Sequence, residues 1–226
     1  VSIPTHPERE VRIPTGEDHL LGDLVRPAGS NALVLFAHGS GSGRHSARNR
    51  RVAARLHDSG LGTLLFDLLT ATEQETDLHT RQHRFDIALL TRRLQEATDW
   101  ALHELQAPPP VIGYFGASTG SAAALVAAAR LGDRIGAVVS RGGRPDLAGP
   151  AALEAVTAPT LLIVGEADHE VLALNQASMD RMRCHRSLAL VPHATHLFEE
   201  PGTLDVAADH AAAWFSRHLA WAEQHV

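Results

Sequence analysis

Apolar residues along this chain arrive in short, nearly unbroken runs. "ALVLFAH" (32–38), "GTLLFDLL" (62–69), "VIGYFGA" (111–117), "IGAVVS" (135–140), "PTLLIVG" (159–165) and "SLALVP" (187–192) each lack the alternation of a half-exposed strand. Such runs predict strands buried on both faces. The stretches between them change period. Leu90, Leu94, Ala97, Ala101 and Leu105 recur at helical spacing, which predicts a helix over 85–105 ended by Pro108-Pro109-Pro110. Further helices are expected over 46–58, stopping at Gly60, then over 118–131, 171–182 and 207–222, with a short one between 140 and 159. Upstream, "VRIPTG" and "LLGDLVRP" read as a hairpin around Gly16-Glu17-Asp18. The polar segment 69–84 reads as a surface excursion. Strand and helix alternate throughout. The expected architecture is therefore one α/β domain over 1–226, with a mostly parallel central sheet and helices on both faces.

Composition narrows this picture only in places. The chain has 226 residues, 44% hydrophobic and 20% charged, which suits one large globular domain. A net charge of -6 argues against a nucleic-acid partner. The single cysteine, Cys184, leaves no internal disulfide to form and reads as a small hydrophobe or idle thiol. No lysine occurs, so arginine supplies all 20 basic residues. No apolar run approaches the ~18 residues of a membrane span. The opening "VSIPTHPERE" has no apolar core of a signal peptide, and the missing initiator Met leaves open whether something was trimmed. A cytoplasmic monomer or homodimer without membrane partners is expected.

Chemistry concentrates at three strand ends. Gly116-Ala117-Ser118-Thr119-Gly120 is a G-x-S-x-G pattern between a strand and a helix. There a sharp turn would lift the serine to the sheet edge at a helix N-terminus. The plainer alternative is a serine that only caps the helix. A serine nucleophile needs a base, and the base an orienting carboxylate. Asp168 follows the strand of "TLLIVGEAD", and His196 follows the last strand in "LVPHATH". Glu166, Asp146 and His193 compete for these roles. Asp168 is preferred for lying a short turn beyond its strand. His196 is preferred because His193 follows Pro192 too early in the loop.

The loop "HGSGSGRH" (38–45) allows a rival, nucleotide-binding reading, with Asp67 ending the next strand. A dinucleotide fingerprint needs G-x-G-x-x-G. Counting from Gly39 the sixth residue is Arg44, and from Gly41 it is Ser46, so neither frame completes. A phosphate-binding Walker lysine is impossible in a chain without lysine.

Taken together, "FAHGSGSGRHSARN", "GASTG", "VGEAD" and "HATHLFEEPG" resemble the α/β-hydrolase superfamily, and within it the dienelactone-hydrolase-like branch. The resemblance spans nearly the whole chain. It implies the α/β-hydrolase fold and an acyl-enzyme mechanism on a small ester or lactone, with no metal and no organic cofactor. The branch's namesake uses a cysteine nucleophile where Ser118 stands here. The implied oxyanion hole is the backbone N–H of Thr119 with that of Ser40, Gly41 being next in line.

Only about 18 residues separate the strand ending near Ser140 from the one at Pro159, so no sizeable lid domain fits there and an open cleft is expected. Gly41, Arg44, His45, Arg48, Arg141 and Arg144 are expected to rim the site, where the arginines would receive an anionic substrate group. Solvated arginines paired with acids are the alternative. His79 and His83 have the i, i+4 spacing of helical zinc ligands but no clear third ligand, so no metal site is assigned. An acyltransferase with the same triad, or a non-catalytic binding protein on this fold, would share these residues.

Overall fold

The computed structural model describes residues 6–105 and 109–219. The chain opens with a hairpin of β1 (Glu8–Thr15) and β2 (Asp18–Val25), turned at Gly16 with its positive φ of 58°. Then follow β3 (Ala32–Ala37), α1 (Ala47–Asp58), β4 (Gly62–Phe66), α2 (Ala71–Thr80), α3 (Ile87–Glu104), β5 (Val111–Ala117) and α4 (Thr119–Leu131). β6 (Ile135–Arg141), α5 (Pro150–Ala155), β7 (Thr160–Gly165), α6 (His169–Arg181), β8 (Arg186–Val191) and α7 (Thr203–Leu219) complete it. All eight strands join one sheet in the order β1-β2-β4-β3-β5-β6-β7-β8. β1 and β2 run antiparallel, as do β2 and β4, and every other pairing is parallel.

The unbroken apolar runs have a simple cause. In β3, Leu33, Leu35 and Ala37 face the core under α3 and α4, whereas Val34 and Phe36 face the core under α1 and α7. Successive side chains point to opposite faces, and both faces are covered by helices. The closing α7 contributes Ala207, Ala208, Ala211, Ala212 and Phe215 at helical spacing to the second core. Its expected last residues, 220–222, lie outside the described residues, as does Pro108 of the triple proline.

Segment 69–84 is more ordered than its polarity suggested. Thr70 and Glu73 form a reciprocal capping box that starts α2, and Arg81, at φ 57°, ends it in the left-handed region. His79 and His83 therefore do not share one helical face. Asp77, buried on α2, pairs with Arg84 at 2.5 Å. The strand expected over 62–69 stops at Phe66, because Leu68 N–H turns to donate to the His38 ring instead of a neighbouring strand.

The order places β3 beside both β4 and β5, so the chain leaves β3 in both lateral directions. Ligand crevices of open α/β sheets form at such a switch point, beyond the carboxyl ends of the strands. Register aligns those ends: Ala37 pairs with Gly116, Ala117 with Arg141, Arg141 with Ile163 and Gly165 with Val191.

Candidate active site

Ser118 stands at the turn from β5 into α4 with φ 49° and ψ -123°. A non-glycine residue in that region is strained, and it persists only where its surroundings enforce it. Its neighbours do so. A Cβ on Gly116 would lie 2.5 Å from Ser121 Cα, and one on Gly120 would overlap the carbonyl of Ala37. Ser118 N–H donates to Arg141 O at 3.3 Å, and Ser118 O accepts from Arg144 N–H at 3.1 Å. The side chain makes no capping hydrogen bond, so the hydroxyl is not committed to helix α4.

Asp168 follows β7 by a short turn, in which Asp168 N–H donates to Gly165 O. Its Oδ2 lies 2.7 Å from Nδ1 of His196. An ionised carboxylate only accepts hydrogen bonds, so Nδ1 carries a proton, and in the neutral ring the free lone pair is then on Nε2. The His196 loop is clamped by Glu200, which accepts from Thr195 Oγ1 at 2.6 Å and from Thr195 N–H at 3.1 Å. The competing residues go elsewhere. Glu166 accepts from His193 N–H, and Asp146 makes a two-point ion pair with Arg144.

The loop after β3 lies against the elbow, with a Cβ on Gly39 falling 3.2 Å from that of Ser118. Ser40 N–H is aimed at the same corner, donating to Thr119 Oγ1 at 3.1 Å. Thr119 is the first residue of α4, so its own N–H has no intrahelical partner. His38 sets the orientation of this loop. Its Nδ1–H donates to Gly39 O at 3.0 Å, while Nε2 accepts from Leu68 N–H at 3.1 Å. Burial lowers the pKa of this imidazole, which favours the neutral form both bonds require. Because Gly39 O and Ser40 N–H belong to one planar peptide, fixing the first aims the second.

Two cavities meet at this loop. One of about 220 Å³ is lined by Ser118, His196, Arg141, Arg48 and Asn49. The other, about 690 Å³, lies toward α2 and is lined by Asp67, Leu69, Leu78, Arg84 and Leu90. Gly39, Ser40, Ser42, Ser46 and Arg48 border both. The β6–β7 connection carries only a 3-10 turn and α5, as its length required. The wall of the large cavity comes from α2 and the turn after it.

Residues 30–220 match the alpha/beta hydrolase domain family. This chain belongs to the alpha/beta-hydrolase family. A dienelactone hydrolase from Anabaena variabilis, known as a crystal structure, is 53% identical with a TM-score of 0.92, covering 95% of this chain and 99% of that one. The chain thus falls in the dienelactone-hydrolase-like branch. Est1E from Butyrivibrio proteoclasticus shares the fold at 16% identity, with a TM-score of 0.76 over 93% of this chain and 99% of its own. A Mycobacterium tuberculosis protein named "Putative phosphoribosyl transferase" is 50% identical over 212 residues, 94% of this chain. The chain spans about half that protein's length, 47%.

In this alpha/beta hydrolase the expected arginine rim separates into two groups. Arg44 lines neither cavity. Its guanidinium lies among Glu10, Asp23 and Asp67, and its N–H donates to Asp67. The sheet order explains this, because β4 brings Asp67 and β2 brings Asp23 beside the loop. Arg144 is likewise held by Asp146. Gly41 and His45 line the large cavity, and only Arg141 and Arg48 reach the cavity of Ser118.

Sequence reasoning missed His38, although its position directly before the glycine loop was a usable signal. Replacing His38 by leucine removes one of the two donors to Gly39 O, the other being Ser42 N–H at 3.1 Å, and leaves Leu68 N–H unpaired. Should Ser40 N–H act on the transition state, such a variant is expected to lower kcat on an activated ester by about tenfold or more, with KM little changed. Equal effects on kcat and on substrate affinity would disprove this positioning role. No helix among the described residues is long and apolar enough to cross a membrane.

Proposed function

We propose that this hydrolase cleaves carboxylic esters or lactones of small molecules through an acyl-enzyme on Ser118. The observation that carries the reading is the Asp168–His196 hydrogen bond of 2.7 Å, in the loops beside a strained, uncapped Ser118 that lines the same cavity as His196. His196 Nε2 takes the hydroxyl proton as Ser118 Oγ bonds to the carbonyl carbon. Asp168 holds the imidazole tautomer and stabilises the imidazolium. Thr119 N–H receives the oxyanion, joined by Ser40 N–H as it exchanges Thr119 Oγ1 for the substrate oxygen, each such donor being worth roughly 3 kcal/mol in the transition state. The tetrahedral intermediate collapses, and His196 returns the proton to the departing alkoxide. Water then repeats the sequence on the acyl-enzyme, releasing the acid and free Ser118.

The Anabaena variabilis relative is a dienelactone hydrolase by name, which favours lactones among the substrates. The transferase name of the Mycobacterium tuberculosis relative describes a protein of which this chain spans 47%, and a serine elbow beside an Asp–His pair supports acyl chemistry instead. A fluorophosphonate probe, which modifies activated serines, is expected to label the wild type in proportion to lost activity. Ser118→Ala should abolish labelling and reduce p-nitrophenyl ester turnover by about 10⁴-fold or more. Labelling that persists in the alanine variant, or never occurs in the wild type, would refute the assignment.

A further inference from the structure

Arg141 ends β6 with its side chain 7% exposed, yet among the described residues no carboxylate lies within ion-pair distance of it. Its Nε is buried without a hydrogen-bond partner. Its guanidinium carbon lies 5.5 Å from the centroid of the Phe198 ring. A buried charge is ordinarily paired, because desolvation costs it several kcal/mol. Here desolvation, and then repulsion from Arg48, pull the pKa of Arg141 down to about 10, which still leaves it protonated at neutral pH. Arg48 is held by Glu199 at 3.4 Å, with the two side chains 38% and 66% exposed. A pair of that kind contributes little.

The same cavity holds a second buried polar group without a partner. Asn49 is 3% exposed, and its Oδ1 makes no hydrogen bond. It belongs to the first turn of α1, a twelve-residue helix whose N-terminus favours anions. Arginine in that turn opposes the helix dipole, so local propensity does not account for Arg48. Asn49 Oδ1 is itself an acceptor, so an oxyanion does not satisfy it, but an anionic ligand would answer the two arginines and the helix end together. It would pair Arg141, screen Arg141 from Arg48, and meet the positive end of α1.

We infer that Arg141 and Arg48, with the first turn of α1, form a subsite for an oxyanionic group of the substrate, a carboxylate or a phosphate, beside Ser118. This rests on the reading of Ser118 as nucleophile, since the cavity is shared, but the subsite can be tested without turnover. Arg141 determines specificity here and takes no part in bond making. Arg44, Arg84 and Arg144 are excluded from it because none of them lines this cavity.

Binding is read first, in Ser118→Ala protein, by thermal shift and calorimetry with succinate and with inorganic phosphate. At least one of them should raise Tm by about 2 °C or more near saturation. Succinate alone would identify a carboxylate, and phosphate alone a phosphate. Arg141→Met should remove the shift, and its unliganded Tm should equal or exceed that of the parent, because an unpaired buried charge is gone. Arg48→Met, at a half-buried position outside the core, should weaken the shift and covers the case of a poorly folded Arg141 variant. Turnover is read second, on mono-p-nitrophenyl succinate against p-nitrophenyl butyrate. The ratio of their kcat/KM values should fall about ten- to a hundredfold in either arginine variant. Absence of any shift with both anions, or an unchanged ratio, would overturn the subsite. Anion shifts that depend on Arg141 in a protein inert to fluorophosphonate would instead overturn the nucleophile and leave the subsite standing.

Discussion

Asp168→Asn is expected to lower kcat on p-nitrophenyl acetate by about 10⁴-fold while the protein stays folded. The reason lies in one proton. Asp168 Oδ2 accepts from His196 Nδ1 at 2.7 Å, so in the neutral ring the lone pair is on Nε2, where it can act as a base. An asparagine amide can turn its NH₂ toward Nδ1, and the ring proton then moves to Nε2. The base is lost, although every heavy atom keeps its place. Stability should change by no more than about 1 kcal/mol, because Asp168 occupies the N-cap position of α6 without making a capping hydrogen bond. Steady-state kinetics and the rate of fluorophosphonate labelling should fall together. Glu166→Gln serves as the comparison. Glu166 accepts only from His193 N–H, and its loss should leave activity close to wild type. Activity within about tenfold of wild type in Asp168→Asn would reassign the acid.

The second large effect is expected on folding. Gly120→Ala places a methyl group inside the carbonyl of Ala37 and against that of His38. Both are backbone atoms at the end of β3, a strand paired on both sides, so neither can move without breaking register. Overpacking ordinarily costs about 1–3 kcal/mol, and a clash with fixed backbone belongs at or above the upper end. That corresponds to a fall in Tm of about 6–12 °C for a chain of this size. Surviving protein should also be impaired, since separating β3 from α4 pulls Ser40 away from Thr119. Ser121→Ala, one residue further on, is the contrast. Its Oγ is buried without a partner, so its removal should leave Tm unchanged or raised. A Gly120→Ala protein as stable as Ser121→Ala would mean that the elbow is not held by this contact.

Much of this architecture was legible along the chain. Strands buried on both faces announce themselves as unbroken apolar runs, and β3 through β8 lie within a few residues of those runs. The strand–turn–helix setting of Ser118 followed from glycines at 116 and 120, which the structure explains by two close backbone approaches. Helix α2 was missed because it buries little and so carries no apolar period. Its start was nevertheless written in Thr70 and Glu73, a capping box that needs no core. The separation of the arginines was not legible. Arg44 and Arg141 look alike in sequence, each just past a strand. One is surrounded by acids carried on β2 and after β4, while the other lies over the Phe198 ring and lines the cavity of Ser118.

The sequence by itself determined the alternation of elements, the serine turn and the chain order of Ser118, Asp168 and His196. These rest on local causes: side-chain periodicity, glycine's small size and short loops at strand ends. Only the tertiary structure decided which carboxylate meets His196, that His38 aims the Ser40 amide, and that Arg141 is left without a counter-ion. Those depend on strand order and register, which bring together residues such as Asp168 and His196, or Arg48 and Arg141, from distant parts of the chain. A charge's environment is set by what lies across the fold from it, and no spacing along the chain encodes that.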